Sequence, residues 1–444
     1  MSLFRLGKTK VPHRKNTAAM AAERMTPPKA VVIPVAQHIG TPATPTVKAG
    51  DQVFVGTVIA EAAGFVSAPV HSSVSGTVKK IEPLLASNGR SAPAIIIESD
   101  GLMTPDPAIA PPTVTSFAEL ATAARNAGLI GLGGAGFPTS VKLSPKNLSE
   151  IDTLILNGAE CEPYITSDTR TMLDDAEYIR EGVLLMKRFT EIKSVVIGVE
   201  ANKPECIDNL NKVFAGEDYV TVAVLPSKYP QGAEKVLIHN TVKRVVPEGG
   251  LPSDVGVIVM NVTTLAFLAK YVKTGMPLVE KCVTVDGSAI KEPKNLIVPV
   301  GTPINEVVEA AGGFSEAPGK VLYGGPMMGV AVYDLAAPVL KNTNAITALN
   351  KKDALTPKLN PCIHCGRCVS ACPMGLNPTI FARTLNLDEA AERAERLEGA
   401  KINLCIECGC CSFVCPSKRP LVENNKLAKA ELREYKAAEA ARKQ

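Results

Sequence analysis

Between Val47 and Pro83, in "VKAGDQVFVGTVIAEAAGFVSAPVHSSVSGTVKKIEP", apolar and polar positions alternate and glycines punctuate the turns. That period of two predicts half-buried strands. Further on the period lengthens. In "SFAELATAARNAGLI" the apolar residues Phe117, Leu120, Ala121, Ala124 and Leu129 recur at helical spacing, which predicts a helix just before residue 131. Asp152 opens a short apolar strand, "TLILN". Residues 283–312 read strand, turn, strand, helix. The segment "LDEAAERAERLEG" (387–399) reads as a polar helix, with Asp388 and Glu389 at its positive end, Glu389/Arg393 and Glu392/Arg396 spaced i,i+4, and Gly399 as its stop. The proline-rich stretches "MTPDPAIAPPTVT" (103–115) and "ALTPKLNP" (354–361) read as joints. The best apolar run, "VGVIVMNVTTLAFLA" (255–269), is interrupted by Asn261, Thr263 and Thr264, and falls short of the roughly 20 residues a transmembrane helix needs.

At 444 residues the chain has room for about three domains at roughly 150 residues each. It contains no Trp, so its cores rely on Val, Ile, Leu and Ala. A net charge of +4 is too small for a dedicated nucleic-acid binder, and no nucleic-acid partner is expected. The charge is concentrated at the ends. Residues 1–16 carry Arg5, Lys8, Lys10, Arg14 and Lys15 with no acid, and residues 418–444 carry eight Lys/Arg against four Glu. Both ends are therefore expected to be basic arms, solvated or drawn to an anionic membrane surface or an acidic partner. The N-terminus has no apolar h-region, which points to the cytoplasm unless a partner holds the chain at a membrane.

Eight of the twelve cysteines form two copies of one pattern: Cys362, Cys365, Cys368 and Cys372 before Pro373, then Cys405, Cys408, Cys411 and Cys415 before Pro416. This C-x2-C-x2-C-x3-C-P spacing is that of bacterial two-cluster ferredoxins, in which the fourth cysteine ligates the other cluster. One [4Fe–4S] cluster is thus assigned to Cys362, Cys365, Cys368 and Cys415, the other to Cys405, Cys408, Cys411 and Cys372. A zinc ribbon would have no use for a third cysteine at the same spacing, twice. Cys410 reads as a small packing residue, and Cys206 and Cys282 as core thiols. Two clusters make a wire of one-electron steps, and a wire needs a terminal.

The candidate terminal is "GLGGAGFPTSVK", from Gly131 to Lys142. It contains G-x-G-x-x-G, but a dinucleotide fingerprint follows a strand and here a helix precedes it. Residues without Cβ let a backbone approach a phosphate or a flavin ring closely. The strand ending "TLILNGAECEP" delivers polar groups to a sheet edge, where α/β proteins bind ligands.

The whole string resembles the flavin loop of the NADH-oxidising subunit of respiratory complex I. The resemblance implies FMN contact at Gly131, Gly133, Gly134, Gly136, Phe137 and Lys142. It extends to "NGAECEP", giving Asn157, Glu160 and Glu162, and to "NVTTLA", giving Asn261 and Thr264. In "VIGVEAN" it places Glu200 as a nucleotide contact. Leu132 and Ala159 stand where that family has arginine and aspartate, so one charge and one polar partner for the nucleotide are missing. Residues 282–345 resemble the soluble-ligand-binding β-grasp module that follows the flavin domain in the same family. Residues 30–102 resemble the barrel-sandwich fold of biotinyl and lipoyl carriers, but no lysine lies between Gly64 and Gly76 to act as a carrier. His38 and His71 are expected in structural or interface roles.

In this order the parts resemble the RnfC family of Rnf complexes. That resemblance implies a multidomain α+β and α/β chain: a basic N-terminal arm (1–29), the barrel-sandwich β domain (30–102), a Rossmann-like FMN/NADH-binding domain (112–281), the β-grasp domain (282–345), a helical two-cluster ferredoxin module (354–420) and a basic helical tail (421–444). It implies two [4Fe–4S] clusters, FMN, and NAD(H) as substrate. It implies a peripheral subunit, at the cytoplasmic face of the membrane, of an ion-translocating ferredoxin:NAD+ oxidoreductase whose other subunits include an iron–sulfur, ferredoxin-like one. The alternatives are a nucleotide-free iron–sulfur wire and a soluble flavin/iron–sulfur NADH oxidoreductase.

Overall fold

The computed structural model describes residues 9–86 and 89–442. Arg5 and Lys8 of the N-terminal arm, and Lys443 of the tail, lie outside the described residues. The first strand, β1 (Ala22–Arg24), belongs to a sheet formed mainly by residues far down the chain. Next come β2 (Ala30–Pro34), β3 (Thr44–Pro45), β4 (Gln52–Val53), β5 (Val58–Glu61), β6 (Val70–His71), β7 (Gly76–Leu85) and β8 (Ser91–Ser99). They form two sheets, ordered β2-β8-β7-β4 and β3-β5-β6. The alternating apolar residues, among them Val31, Ile33, Ile59, Val78, Ile95 and Ile97, meet in the core between them.

The second unit contains α1 (Phe117–Asn126), α2 (Thr139–Lys142), β9 (Thr153–Gly158), α3 (Ser167–Asp174), α4 (Ala176–Phe189), β10 (Ser194–Glu200), α5 (Pro204–Val213), β11 (Val220–Leu225), α6 (Glu234–Val242), β12 (Val257–Asn261) and α7 (Val262–Thr274). Ser116 caps α1, as its position just before the periodic run requires. The four strands are parallel and ordered β11-β10-β9-β12. One sheet face packs on α3, α4, α5 and α7 through a large core around Leu154, Leu156, Ile197 and Leu265, and the other on α6 through Ile155, Leu237 and Val259. Strand order reverses direction between β9 and β12, and such a crevice is where open α/β sheets bind ligands.

The third unit is a mixed sheet, β1-β14-β13-β17-β15-β16, with β13 (Glu280–Asp286), β14 (Lys294–Pro299), helix α8 (Ile304–Ala310), β15 (Pro318–Tyr323), β16 (Val330–Ala331) and β17 (Ala345–Asn350). Here β1 pairs in parallel with β14. The fourth unit is helical: α9 (Arg367–Ala371), α10 (Pro378–Thr384), α11 (Ala390–Gly399), α12 (Cys410–Phe413) and α13 (Leu421–Arg442). In α11, Arg396 pairs with Glu392 as the spacing predicts, but Arg393 reaches across to Glu431 of α13 instead of Glu389, which sits at the helix start.

The two basic ends depart from the sequence expectation. Among the described residues, the N-terminal segment is no free arm: Val11 packs beside Tyr229, the Lys15 side chain is mostly covered by the second unit, and Thr17 is fully buried. Likewise the tail is a helix that buries Leu421, Val422, Ala428 and Leu432 against the helical unit. In both, apolar residues between the charges supply a face to bury.

A single lysine knits three units together. The fully buried Lys341 Nζ donates to the carbonyls of Pro69 in the β domain and Gly128 in the α/β domain, both at 2.8 Å, while its backbone N–H donates to Gln37 Oε1 at 2.9 Å. Burial pushes the Lys341 ammonium down to about 7, and burial with Lys341 nearby pushes His71 down to about 3. His71 is buried inside this junction, and His38 is half-buried at its edge against the backbone of Ala68.

Candidate functional site

The glycine loop is a closed turn. Gly131 N–H donates to Phe137 O at 2.7 Å and Gly136 N–H to Gly131 O at 3.2 Å. Helix α1 precedes it and the four-residue α2 follows. Neighbours clamp it from three sides: Leu132 N–H donates to Thr264 Oγ1 (2.9 Å), Lys281 Nζ to Leu132 O (3.1 Å), and Asn342 Nδ2 to Gly134 O (3.0 Å). From the β domain, Ile39 N–H donates to Gly136 O at 3.0 Å. Gly134 is the open rim of the turn. Its φ of +109° favours glycine, and a Cβ there would meet nothing within 4 Å. A Cβ on Gly133 would instead press on Asn261 Nδ2 at 3.2 Å. The Leu132 side chain turns into the core, 1% exposed.

The loop borders a cavity of about 790 Å3 at the β9/β12 reversal, within the size range of small-molecule sites. Gly131, Gly133, Gly134, Phe137 and Lys142 line it, as do Asn157, Glu160, Glu162, Asn261 and Thr264. Gly136 and Glu200 do not. Glu200 is fully buried and pairs with Lys203 at 3.3 Å, and Lys203 Nζ donates to Ala159 O at 2.7 Å. Its place as a nucleotide contact is therefore corrected: it sits behind the cavity wall and anchors the lysine that holds the wall. Burial raises its carboxyl above the usual range, against the pull of Lys203.

The other acids are also committed. Glu160 accepts from Asp168 N–H (2.7 Å) and Thr169 Oγ1 (2.6 Å), so it caps α3. Glu162 accepts from Met328 N–H (2.7 Å) and Met327 N–H (3.1 Å) of the third unit, and burial pushes its carboxyl up to about 7. Gly325 makes room for it, since a Cβ there would lie 2.3 Å from Glu162 Oε2. Asn261 caps α7 through Thr264 N–H and donates to Asp168 Oδ2 at 2.8 Å. Lys142 Nζ donates to Val259 O (2.9 Å) and to Glu234 (3.1 Å).

Three features were not anticipated from the sequence. Asp168 lines the cavity, fully engaged by Asn261 and Thr263, with its carboxyl raised to about 6 by burial and by Glu160. The segment Tyr229–Glu234 forms another wall. A glycine between a strand and the helix α6 was its one signal. Lys15 donates to the carbonyls of Glu160, Glu162 and Ile165 at 2.7, 2.8 and 2.6 Å, and so cinches the segment that carries both glutamates.

The cysteines divide by position. Cys372, Cys405, Cys408 and Cys411 ring one small cavity, with Pro373, Met374 and Leu376 against it. Burial and the neighbouring Cys408, Cys405 and Cys372 thiols push Cys411 up to about 12. Cys368 is raised by burial, with Cys415 and Cys362 close enough to add to it. The fourth cysteine of each motif thus sits with the other motif's set. Among the described residues no three His, Cys, Asp or Glu side chains converge on one ion's position. Thiols ringing a space suit a cluster, whose irons lie between its ligands. Cys408 also lines the large cavity. Cys410 is buried beneath Tyr229.

A bare-backbone cradle at the reversal of a parallel sheet, sharing its wall with a two-motif cysteine module, defines a flavin and iron–sulfur electron-transfer protein. Comparison with known families agrees part by part. Residues 4–102 match the RnfC barrel sandwich hybrid domain, 124–270 the Nuo51 FMN-binding domain, 282–331 the SLBB domain and 358–430 the 4Fe-4S dicluster domain. The chain is 44% identical to the RnfC-type subunit of the Na(+)-translocating ferredoxin:NAD(+) oxidoreductase complex of Acetobacterium woodii, over 95% of each chain. It is 43% identical to the corresponding subunit of the proton-translocating ferredoxin:NAD(+) oxidoreductase complex of Clostridium ljungdahlii, over 83% of this chain and 81% of that one. A solved NAD+-reducing [NiFe]-hydrogenase chain shares the fold, with a TM-score of 0.50 at 19% identity, covering 72% of this chain and 63% of that one. The chain belongs to the RnfC family, whose members are subunits of ion-translocating ferredoxin:NAD+ oxidoreductase complexes.

Proposed function

We propose that this chain is the nicotinamide-reacting subunit of an ion-translocating ferredoxin:NAD+ oxidoreductase. One observation carries the reading: a single cavity has the uncovered Gly134 backbone in one wall and the cluster ligand Cys408 in another. When bound, FMN exchanges a two-electron hydride with nicotinamide and single electrons with two [4Fe–4S] clusters.

The chain's own residues supply binding and position. Gly131, Gly133 and Gly134 give a phosphate or ring close access to backbone, with Gly136 closing the turn and Phe137 offering a stacking face. Lys142 supplies positive charge at the cavity edge, steered by Glu234. Asn157, Asn261 and Thr264 hold the sheet edge and loop in register. Glu160 and Glu162 fix the segment between cradle and cysteines, Glu162 by bridging to Met327 and Met328. Cys372, Cys405, Cys408 and Cys411 hold the cluster beside the cavity, and Cys362, Cys365, Cys368 and Cys415 the one farther out.

The strand order supports a Rossmann-like flavin domain, and the sheet around α8 a β-grasp module. The domain bounds, read with the structure, become a β domain at 30–102 tied down by residues 9–24, a flavin domain shortened from 112–281 to 112–279, a bridging module widened from 282–345 to 280–350, and a cluster module widened beyond 354–420 to take in the packed start of the helix at 421–442. No helix among the described residues is long and apolar enough to cross a membrane. We place the chain as a peripheral subunit at the cytoplasmic face, held there by other subunits that include an iron–sulfur, ferredoxin-like one. The open cavity favours this reading over a nucleotide-free wire.

The test is an anaerobic preparation with iron, sulfide and FMN quantified per chain, followed by NADH. Two clusters, one FMN and bleaching of the flavin band are expected. Protein that binds no FMN when it is supplied, or that holds it without bleaching, overturns the proposal.

A further inference from the structure

Helix α13 carries one polar residue where its pattern calls for an apolar one. Its buried face runs Leu421, Asn425, Ala428 and Leu432, at the four-three-four spacing of a helix side that packs inward, with Val422 alongside. Asn425 is only 2% exposed, and its Oδ1 meets no hydrogen-bond partner among the described residues. An unsatisfied buried acceptor is costly, and a leucine in its place would bring none. Packing therefore gives no reason for an amide here.

The other end of the amide supplies one. Asn425 Nδ2 donates to Cys405 Sγ at 3.5 Å, and Asn425 lines the small cavity that Cys372, Cys405, Cys408 and Cys411 ring. A cluster thiolate only accepts hydrogen bonds, so the amide must turn its N–H toward the sulfur and leave Oδ1 behind. One turn further along α13, Lys429 Nζ donates to Cys405 O at 3.1 Å and pairs with Glu407. The same helix face thus holds Cys405 by its carbonyl and by its sulfur. Across the ring, Leu376 N–H donates to Cys372 Sγ at 3.4 Å.

Reduction adds negative charge to a cluster, and N–H groups aimed at its sulfurs stabilise that charge, which raises the potential. We propose that Asn425 is a positioning residue for electron transfer: its N–H, held on Cys405 Sγ, raises the reduction potential of the cluster beside the flavin cavity. This rests on the reading above that Cys372, Cys405, Cys408 and Cys411 hold a cluster. It names a residue outside both cysteine motifs that sets how readily that cluster accepts single electrons from the flavin side. One electron enters the cluster; no bond is made or broken there and no proton moves.

The test is an EPR-monitored redox titration of the anaerobic holoprotein. The signal that survives Cys415→Ala marks the cavity-side cluster. At the poise where that cluster is half reduced in the parent, Asn425→Leu should leave oxidised over reduced cluster by about threefold or more, part of what one hydrogen bond to a charged group is worth. The cluster of Cys362, Cys365, Cys368 and Cys415 should titrate as in the parent. Val422→Ala, which loosens the same cavity without removing a donor, should not lower the potential. Asn425→Ala makes the same comparison without filling the site, and should shift the potential in the same direction as leucine. An unshifted potential in both Asn425 variants, or an equal downward shift in Val422→Ala, overturns the proposal. So does loss of the cavity-side cluster from both Asn425 variants, because the residue would then be structural. Iron, sulfide and cluster signals missing from the parent itself would instead bring down the electron-transfer reading, and this role of Asn425 with it.

Discussion

Lys15→Met keeps the buried stem and removes the ammonium. The carbonyls of Glu162 and Ile165 then lose their donor, and that of Glu160 keeps only the long bond from Lys203 Nζ at 3.5 Å. An orphaned buried acceptor costs about 1–3 kcal/mol, or at most roughly 6 kcal/mol if the long Lys203 bond to Glu160 O is counted as lost with the other two. Against this, burial has pushed Lys15 down from 10.5 to about 8. That shift means holding the charge already costs about 3 kcal/mol, which the variant recovers. The net loss is at most about 3 kcal/mol, placed on the segment that carries Glu160 and Glu162. If FMN binding needs that segment ordered, its affinity falls by up to about a hundredfold. Flavin fluorescence titration of the flavin-free protein measures it, with Lys15→Arg expected to restore most of the affinity. The pH dependence provides a separate check. Between about pH 8 and 10.5 the unfolded chain still holds the lysine proton that the folded chain has lost, so this group's contribution makes stability rise with pH there. Lys15→Met should remove that rise. FMN affinity within twofold of the parent, with the rise intact, would refute the reasoning.

Three other outcomes are expected. Gly134→Val, whose backbone φ of +109° disfavours a side chain and whose Cβ would point into open space, should lose FMN while far-UV circular dichroism and cluster absorbance persist; retained stoichiometric flavin would contradict this. Cys415→Ala should damage the cluster of Cys362, Cys365 and Cys368 and spare the one beside the cavity, and EPR would reveal the reverse if the exchanged-ligand assignment is wrong. Glu162 holds a proton in the folded chain between about pH 4.5 and 7 that the unfolded chain has shed, so its contribution to stability falls as pH rises through that window. Thermal melts of flavin-free Glu162→Gln should lack that slope, and an unchanged slope would assign it elsewhere.

Features set by short-range pattern were legible in the chain. The alternation in residues 47–83 became paired strands, "TLILN" became β9, and the periodic run after Ser116 became α1 because Ser116 also caps it. The repeated cysteine spacing with its trailing proline was legible as well, and the fold sets Cys372 around one cavity with Cys405, Cys408 and Cys411. What depended on distant neighbours was not. Lys15 looked like part of a solvated arm because nothing near it in sequence reveals the carbonyls 145–150 residues away that bury it. Glu200 ends a strand at the correct edge of the sheet, yet Lys203 turns it behind the wall. Asp168 lies in a helix with no motif of its own, and only the fold brings it to Asn261.

The junction at Lys341 bears on how such a chain can be taken apart. Its proline-rich joints look like natural cutting points, and each of its four family modules occurs as a recognisable unit. Yet excising the flavin module alone would strip the Gly128 carbonyl of its ammonium partner, and excising the β domain would do the same to Pro69. The seams visible in the sequence are not the seams along which the folded molecule separates, so dissected fragments should aggregate more readily and bind flavin more weakly than the intact chain.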